Sequence, residues 1–288
     1  MMDQAKWRKS VNITTTSCLE PAFLKMLKTC GFDGIDLNFS SAFFDEEQKW
    51  QLEAICANLQ EAGLKCAQVH LPTYGLFADS GEDDPEMERR IETALRIMPA
   101  LGAKWGAFHM RSAVKHDFDR KKAFKDNAEK LKHLCAIAEQ YDVGIAVENL
   151  PTFPDRPDAP FFSSRIEDQC AVIDAVDHPL LGACWDFGHA NLNIQHKDRT
   201  QRELITQLGS RIKIVHVHNN YSTRDSHLPP SIGSIDWNDA IAGLKETGFS
   251  GYFSLECGSG PGNFDLSKAY CAFCAETTDI LLRITGGD

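Results

Sequence analysis

The chain has 288 residues, with 41 Asp and Glu against 30 Lys and Arg for a formal charge of −11, and 43% of its residues are hydrophobic. A chain this long and this apolar buries enough surface to offset its ordering entropy, which excludes disorder, and no apolar run reaches the roughly 18 residues a bilayer span needs. Met1 to Ser10 carries charges with no apolar stretch behind them, and the acidic balance disfavours nucleic acid, whose usual counterpart is a basic stripe; the expectation is a soluble cytoplasmic protein with no membrane partner.

In chain order, short β-branched or apolar runs alternate with longer segments of helical period. A strand is expected at Ser10–Thr15 and a helix at Leu19–Cys30, then strand Gly34–Phe39 and helix Glu46–Ala62. Strand Leu64–His70 precedes helix Pro85–Leu101, and strand Lys104–His109 precedes helix Arg120–Tyr141. The second half repeats the scheme: strand Val143–Asn149 and helix Arg165–Val176, then strand Leu181–Asp186 and helix Thr200–Leu208. Strand Ile212–His218 with helix Trp237–Thr247 and strand Tyr252–Glu256 with helix Leu266–Arg283 complete it. Gly31, Gly63, Gly102, Gly209 and Gly248 fall just past helix ends, where a left-handed residue is favoured. Eight strand-then-helix units with no linker between them indicate one α/β domain over residues 1–288, a single (β/α)8 TIM barrel, in preference to a doubly wound open sheet.

A parallel strand covered on both faces reads as continuous Val, Ile and Leu. Here one parity of most strands turns polar toward its C-terminal end: Asp36 and Asn38, Gln68 and His70, His109, Glu148, Asp186, His216 and His218, then Ser254 and Glu256. These side chains are expected to line the barrel mouth, the face on which such barrels build their active sites. Glu148, Asp186 and Glu256 converging there would repel one another, so some are protonated or a cation lies among them. With His218 they offer three oxygen donors and one nitrogen, a set that suits Mn²⁺ foremost, or Mg²⁺, Co²⁺ or Zn²⁺.

The segments Ala146-Val147-Glu148-Asn149, Trp185-Asp186-Phe187-Gly188-His189, His216-Val217-His218 and Ser254-Leu255-Glu256 resemble the metal-site motifs of the xylose isomerase-like barrel superfamily. That group takes in sugar phosphate isomerases and epimerases, ketose 3-epimerases, inosose dehydratases and endonucleases of the endonuclease IV type (AP endonuclease family 2). The resemblance implies that Glu148, Asp186, His218 and Glu256 hold one divalent metal, and that Glu148 and Glu256 remove and return a proton next to the carbonyl of a small ketose. It also places His189 and Arg224 against substrate oxygens, and gives His70 and His109 either substrate-binding or ligand roles. The nuclease branch adds a second expectation: His70, His109, His189, Asp225 and His227 match its further ligands and could hold a second metal ion. The segment from His218 to Asp225 is short and no basic loop for DNA stands out, so a small carbohydrate is the expected partner, with a homodimer as the expected assembly.

Other features carry less. Gly258-Ser259-Gly260-Pro261-Gly262-Asn263 follows the eighth strand, where many barrels bind phosphate, but reads first as a plain loop. The long loops Pro72–Pro85 and Pro151–Ser164 are candidates for capping the site. Arg120, Lys121, Lys122 and Lys125 lie among acidic residues and read as a solvated helix face. Of ten cysteines, Cys56, Cys66, Cys135, Cys170 and Cys184 lie in apolar surroundings, where the free thiol behaves as a small hydrophobe. Cys271-Ala-Phe-Cys274 is a lone C-x-x-C inside a helical pattern, with no second pair to complete a zinc site.

Overall fold

A computed structural model describes residues 7–39, 51–73, 84–112, 119–153, 155, 161–260 and 262–287. Most of the Pro72–Pro85 loop, the middle of Pro151–Ser164, the start of the helix expected from Glu46, and Pro261 lie outside the described residues. Eight parallel strands form a closed barrel in sequence order: β1 (Lys9–Ile13), β2 (Gly34–Asn38), β3 (Lys65–His70), β4 (Trp105–Phe108), β5 (Gly144–Glu148), β6 (Leu181–Asp186), β7 (Ile212–Val217) and β8 (Phe253–Leu255). Ser10 of β1 pairs with both Gly34 of β2 and Ser254 of β8, so no edge is left and the doubly wound alternative is excluded.

The helices are α1 (Pro21–Thr29), α2 (Gln51–Ala62), α3 (Pro85–Leu101), α4 (Arg120–Gln140), α5 (Ile166–Val176), α6 (Phe187–Leu192), α7 (Gln201–Leu208), α8 (Trp237–Glu246) and α9 (Phe264–Ile284). Their starts follow from side chains that accept the unpaired first-turn N–H groups. Asp84 caps α3, Asp119 caps α4, Asp236 caps α8 and Asn263 caps α9, while Thr200 and Glu203 close a reciprocal capping box on α7. At the other end of α3, Gly102 takes φ 77° and returns its N–H to Met98 and Pro99 carbonyls, as its sequence position predicts. In the basic run at the start of α4, Lys122 and Lys125 pair locally with Asp126 and Glu129, and Arg120 pairs with Asp168 of α5. The short α6, directly after β6, has no counterpart among the expected helices.

Outward-facing Val11, Ile13, Ile35, Leu37, Val69, Ile145, Val147, Val215, Val217 and Leu255 pack under Leu24, Leu27, Ile91, Leu95, Leu131 and Leu134 of the helices, all essentially without solvent exposure. Burying each such side chain contributes about 1.5–3 kcal/mol. The inside of the barrel is divided. Ala107, Ala146, Cys184 and Ile214, on β4 to β7, form a small apolar cluster. On β8 and β1 to β3 the interior is instead polar and buried: Ser10, Asn12, Asp36, Gln68 and Ser254. No helix among the described residues is long and apolar enough to cross a membrane.

Candidate metal centre

The strand ends deliver two buried carboxylates, a third that is partly open, and a ring of imidazoles to one mouth. Glu148, the last residue of β5, is the hub. Its Oε2 lies 3.2 Å from His109 Nε2, 3.2 Å from His216 Nδ1 and 3.6 Å from His70 Nε2, and its Oε1 is 3.1 Å from His189 Nδ1. Burial alone would push this carboxyl up, but the imidazoles of His216, His109 and His189 hold it well below the usual carboxylate range.

Asp186 ends β6 and is the N-cap of α6, where its Oδ1 accepts the His189 N–H at 2.6 Å. His218 Nε2 is 3.0 Å from the same oxygen. Asn149 clamps this turn to β5: its Nδ2 donates to the Asp186 carbonyl at 2.9 Å and its Oδ1 accepts the Asp186 N–H at 2.7 Å. Gly188 in the next turn is required by space, since a Cβ there would stand 1.9 Å from Cε1 of His218. Neither Asn149 nor Gly188 stands out as a functional residue in the sequence, although each adjoins a residue that does. Glu256 follows β8, with its N–H donating to the Val217 carbonyl at 2.9 Å and its own carbonyl 2.7 Å from His227 Nδ1. Its side chain is the most open of the three carboxylates, at 13% against 1% for Glu148 and 0% for Asp186.

Beside Asp186 lies a second group. Asp225 Oδ2 is 3.2 Å from His227 Nε2 and 3.3 Å from His189 Nε2, and its Oδ1 is 3.8 Å from His218 Nδ1. The rings of His218 and His227 stack at 4.0 Å. Burial is opposed by Asp225, Glu256 and Asp186, which push His227 up to about 9; burial of His189 is outweighed by Asp186, Asp225 and Glu148. His227 also takes a left-handed backbone, φ 44°, which a non-glycine residue adopts only under constraint.

Among the described residues, donor atoms within 4.8 Å of one another define three candidate sets: Glu148, Asp186, His216 and Glu256; His70, Glu148 and His216, which shares two members with the first; and, separately, His189, His218, Asp225 and His227. The expected ligand set is therefore divided. Glu148, Asp186 and Glu256 come together, but the imidazole nearest all three belongs to His216, while His218 stands across Asp186 with the second group. Both histidines have the inward parity, so spacing alone leaves them equivalent. His216 is also tied to Asp36, whose Oδ2 lies 3.2 Å from His216 Nε2 and accepts from Gln68 at 2.9 Å and from Ser254 at 3.2 Å. Burial acts against the charged imidazolium of His216, but the Cys184 thiol and the Glu256 and Glu148 carboxylates raise it well above an ordinary histidine. His70, in contrast, is lowered by burial and by the neighbouring His109, with which it makes an edge-on contact at 4.9 Å. Arg224 is exposed on the loop after β7, one residue before Asp225.

These donors fit a cation. Glu148 Oε1, Asp225 Oδ1, His218 Nδ1 and His216 Nδ1, all on members of the candidate sets, are buried without a hydrogen bond of good geometry, a state that costs roughly 1–3 kcal/mol per group unless a ligand relieves it.

The profile of the xylose isomerase-like TIM barrel family matches residues 24–272, and the chain belongs to that family. A solved D-tagatose 3-epimerase-like protein superposes with a TM-score of 0.74 at 19% identity, over 97% of this chain and 98% of that one. The IolI protein crystallised with a zinc atom gives 0.73 at 18% identity, over 96% and 98%. Among curated sequences, an inosose isomerase of Bacillus velezensis is 29% identical over 139 residues, 46% of each chain. The chain spans about half the length, or less, of the curated relatives it matches.

Proposed function

We propose that the protein is a metal-dependent isomerase or epimerase of a small ketose or sugar phosphate. The observation that carries this reading is the convergence of Glu148, Asp186 and Glu256 with a buried imidazole at the C-terminal mouth of the barrel. Glu148, Asp186 and Glu256, with His218 or His216, would hold one divalent ion, Mn²⁺ foremost and Mg²⁺, Co²⁺ or Zn²⁺ as alternatives. Once bound, such an ion supplies polarisation of a substrate carbonyl. Glu148 and Glu256 then act on the neighbouring carbon, one taking its proton and the other returning a proton, a contribution of about 10² to 10⁴ in rate. His216, His109 and His189 hold Glu148 ionised, the state in which a carboxylate can accept. His189, His70 and His109 face the same space and are the side chains we assign to substrate oxygens; Arg224 would join them from the loop after β7.

The test is deuterium exchange by NMR in heavy water with added Mn²⁺ and a panel of ketoses, ketose phosphates and inososes. Wash-in beside the carbonyl, lost in Glu148→Gln and Glu256→Gln, is the expected result; no exchange across the panel refutes the reading. A dehydratase of the inosose type begins with the same proton removal and shows itself in the same spectra by loss of water. The group of His189, His218, Asp225 and His227 supports a second ion and so keeps one further reading, a phosphodiesterase on abasic DNA, although His70 and His109 stand with Glu148 and not with that group. Cleavage of an oligonucleotide at a single abasic site, abolished in His109→Asn, would establish it.

For the assembly we propose one domain over residues 1–288, located in the cytoplasm, and paired with a second copy through α9. Leu266, Phe273, Ile280 and Ile284 are exposed along one stripe of this helix. With Tyr270 and Thr277 the stripe reads alike in both directions, so an antiparallel copy sets Leu266 against Ile284, Tyr270 against Ile280 and Phe273 against Thr277. The same alignment brings Asp265 near Arg283 of the partner subunit.

A further inference from the structure

The C-x-x-C of α9 suggests a pair between Cys271 and Cys274, but the structure pairs them otherwise. Cys271 Sγ donates to the Ser259 carbonyl at 3.4 Å, on the loop after β8. Cys274 instead accepts from Cys257, with 3.8 Å between the two sulfurs, both buried and neither in a disulfide. Tyr270, one turn earlier, donates its hydroxyl to the Cys257 carbonyl at 2.7 Å, which holds that stretch of backbone against the helix. Cys257 is the residue immediately after Glu256.

We propose that Cys257 and Cys274 form a disulfide under mild oxidation by a peroxide, and that this bond withdraws Glu256 from the candidate metal centre. The metal half of this inference rests on the reading of Glu256 given above. One sulfur attacks hydrogen peroxide, becomes a sulfenic acid and releases hydroxide; the second thiol then displaces that hydroxyl as water and closes the S–S bond. The two thiols lose two electrons and two protons in total, and one peroxide becomes two waters. The two sulfurs are in contact at 3.8 Å, so whichever thiol is oxidised first meets the other as its resolving partner. Bond formation brings the sulfurs from 3.8 Å to about 2.0 Å, a closure of nearly 2 Å that the α9 side, fixed in the middle of a long helix, resists more than the loop side. The displacement therefore falls on Cys257 and on its neighbour Glu256.

The full-length protein is treated with a slight excess of hydrogen peroxide, alkylated, and mapped by peptide mass spectrometry; Mn²⁺ uptake is measured before and after. The expected result is a Cys257–Cys274 cross-linked peptide, reversed by dithiothreitol, with Mn²⁺ affinity lowered at least about tenfold in the oxidised form, in line with the loss of a ligand or its support. Cys274→Ser and Cys274→Ala should both abolish the cross-link and make Mn²⁺ uptake insensitive to peroxide. Free thiols at 257 and 274 after oxidation, a Cys271–Cys274 link in their place, or a cross-link that leaves metal uptake unchanged would each overturn the proposal. The peptide map reads the thiols whether or not the reduced protein takes up Mn²⁺, so failure of the metal reading would appear separately, in the untreated sample.

Discussion

Replacing Gly188 by alanine is expected to damage the centre through one methyl group. The added Cβ would lie 1.9 Å from Cε1, 2.2 Å from Nδ1 and 2.5 Å from Nε2 of His218. To restore ordinary contact the ring must retreat by about 1.5 Å. It has little room, since it is fully buried, stacked on His227 at 4.0 Å and held with Nε2 3.0 Å from Asp186 Oδ1. Alanine in a helix is ordinarily favoured over glycine by about 0.5–1 kcal/mol, whereas overpacking a closed site costs about 1–3 kcal/mol. The second effect wins, so Gly188→Ala should lose about 1–2 kcal/mol of stability by urea unfolding. Because the displaced ring belongs to one candidate donor set and touches Asp186 of another, Mn²⁺ or Zn²⁺ affinity measured by calorimetry should fall about 10- to 100-fold. A variant that is as stable as the parent and binds metal equally well would refute the reasoning, for it would show that His218 is free to move or holds nothing.

Further outcomes are expected of other groups. His227 is raised from 6.5 to about 9 by its neighbours, so in the metal-free protein its charged form contributes stability that is complete below its ordinary range and lost as pH rises through about 9. A metal ion at His189, Asp225 and His227 must displace that proton; affinity there should therefore increase from pH 6 toward 9 with proton release, visible as buffer-dependent binding heats, and pH-independent affinity would contradict it. Phe273→Glu or Ile284→Glu should convert a dimer to monomer by light scattering without loss of helical signal, and a parent protein already monomeric at micromolar concentration would end the α9 pairing.

The periodicity of the sequence carries the barrel because each strand has an uninterrupted outer parity, such as Ile145 and Val147, that only a helix layer can cover. Its polar inner parity likewise identified Glu148, Asp186 and Glu256, since a period of two is preserved whatever the exact strand ends. What spacing does not carry is the distance across the barrel. His216 and His218 share a parity and differ by one rung, yet one meets Glu148 and Asp36 and the other meets Asp186 and Asp225. That choice is decided by barrel stagger, including the register shift at Ala183/Cys184 in the β6 and β7 pair, which no local pattern records. The clamp of Asn149 on Asp186 and the partnership of Cys257 with Cys274 are missed for the same reason, as both join residues brought together only when neighbouring elements pack.

The seam between β1 and β8 also governs when the barrel closes. Ser10 must find Ser254 before the sheet closes on itself, and buried Lys9 beside it meets Asp279 of α9 at 2.5 Å. Such pairings span nearly the whole chain and are entropically the slowest to form. Glu256 owes its place to β7 instead, through its N–H on the Val217 carbonyl, so the three carboxylates at the mouth are brought together by the second half of the chain without the seam.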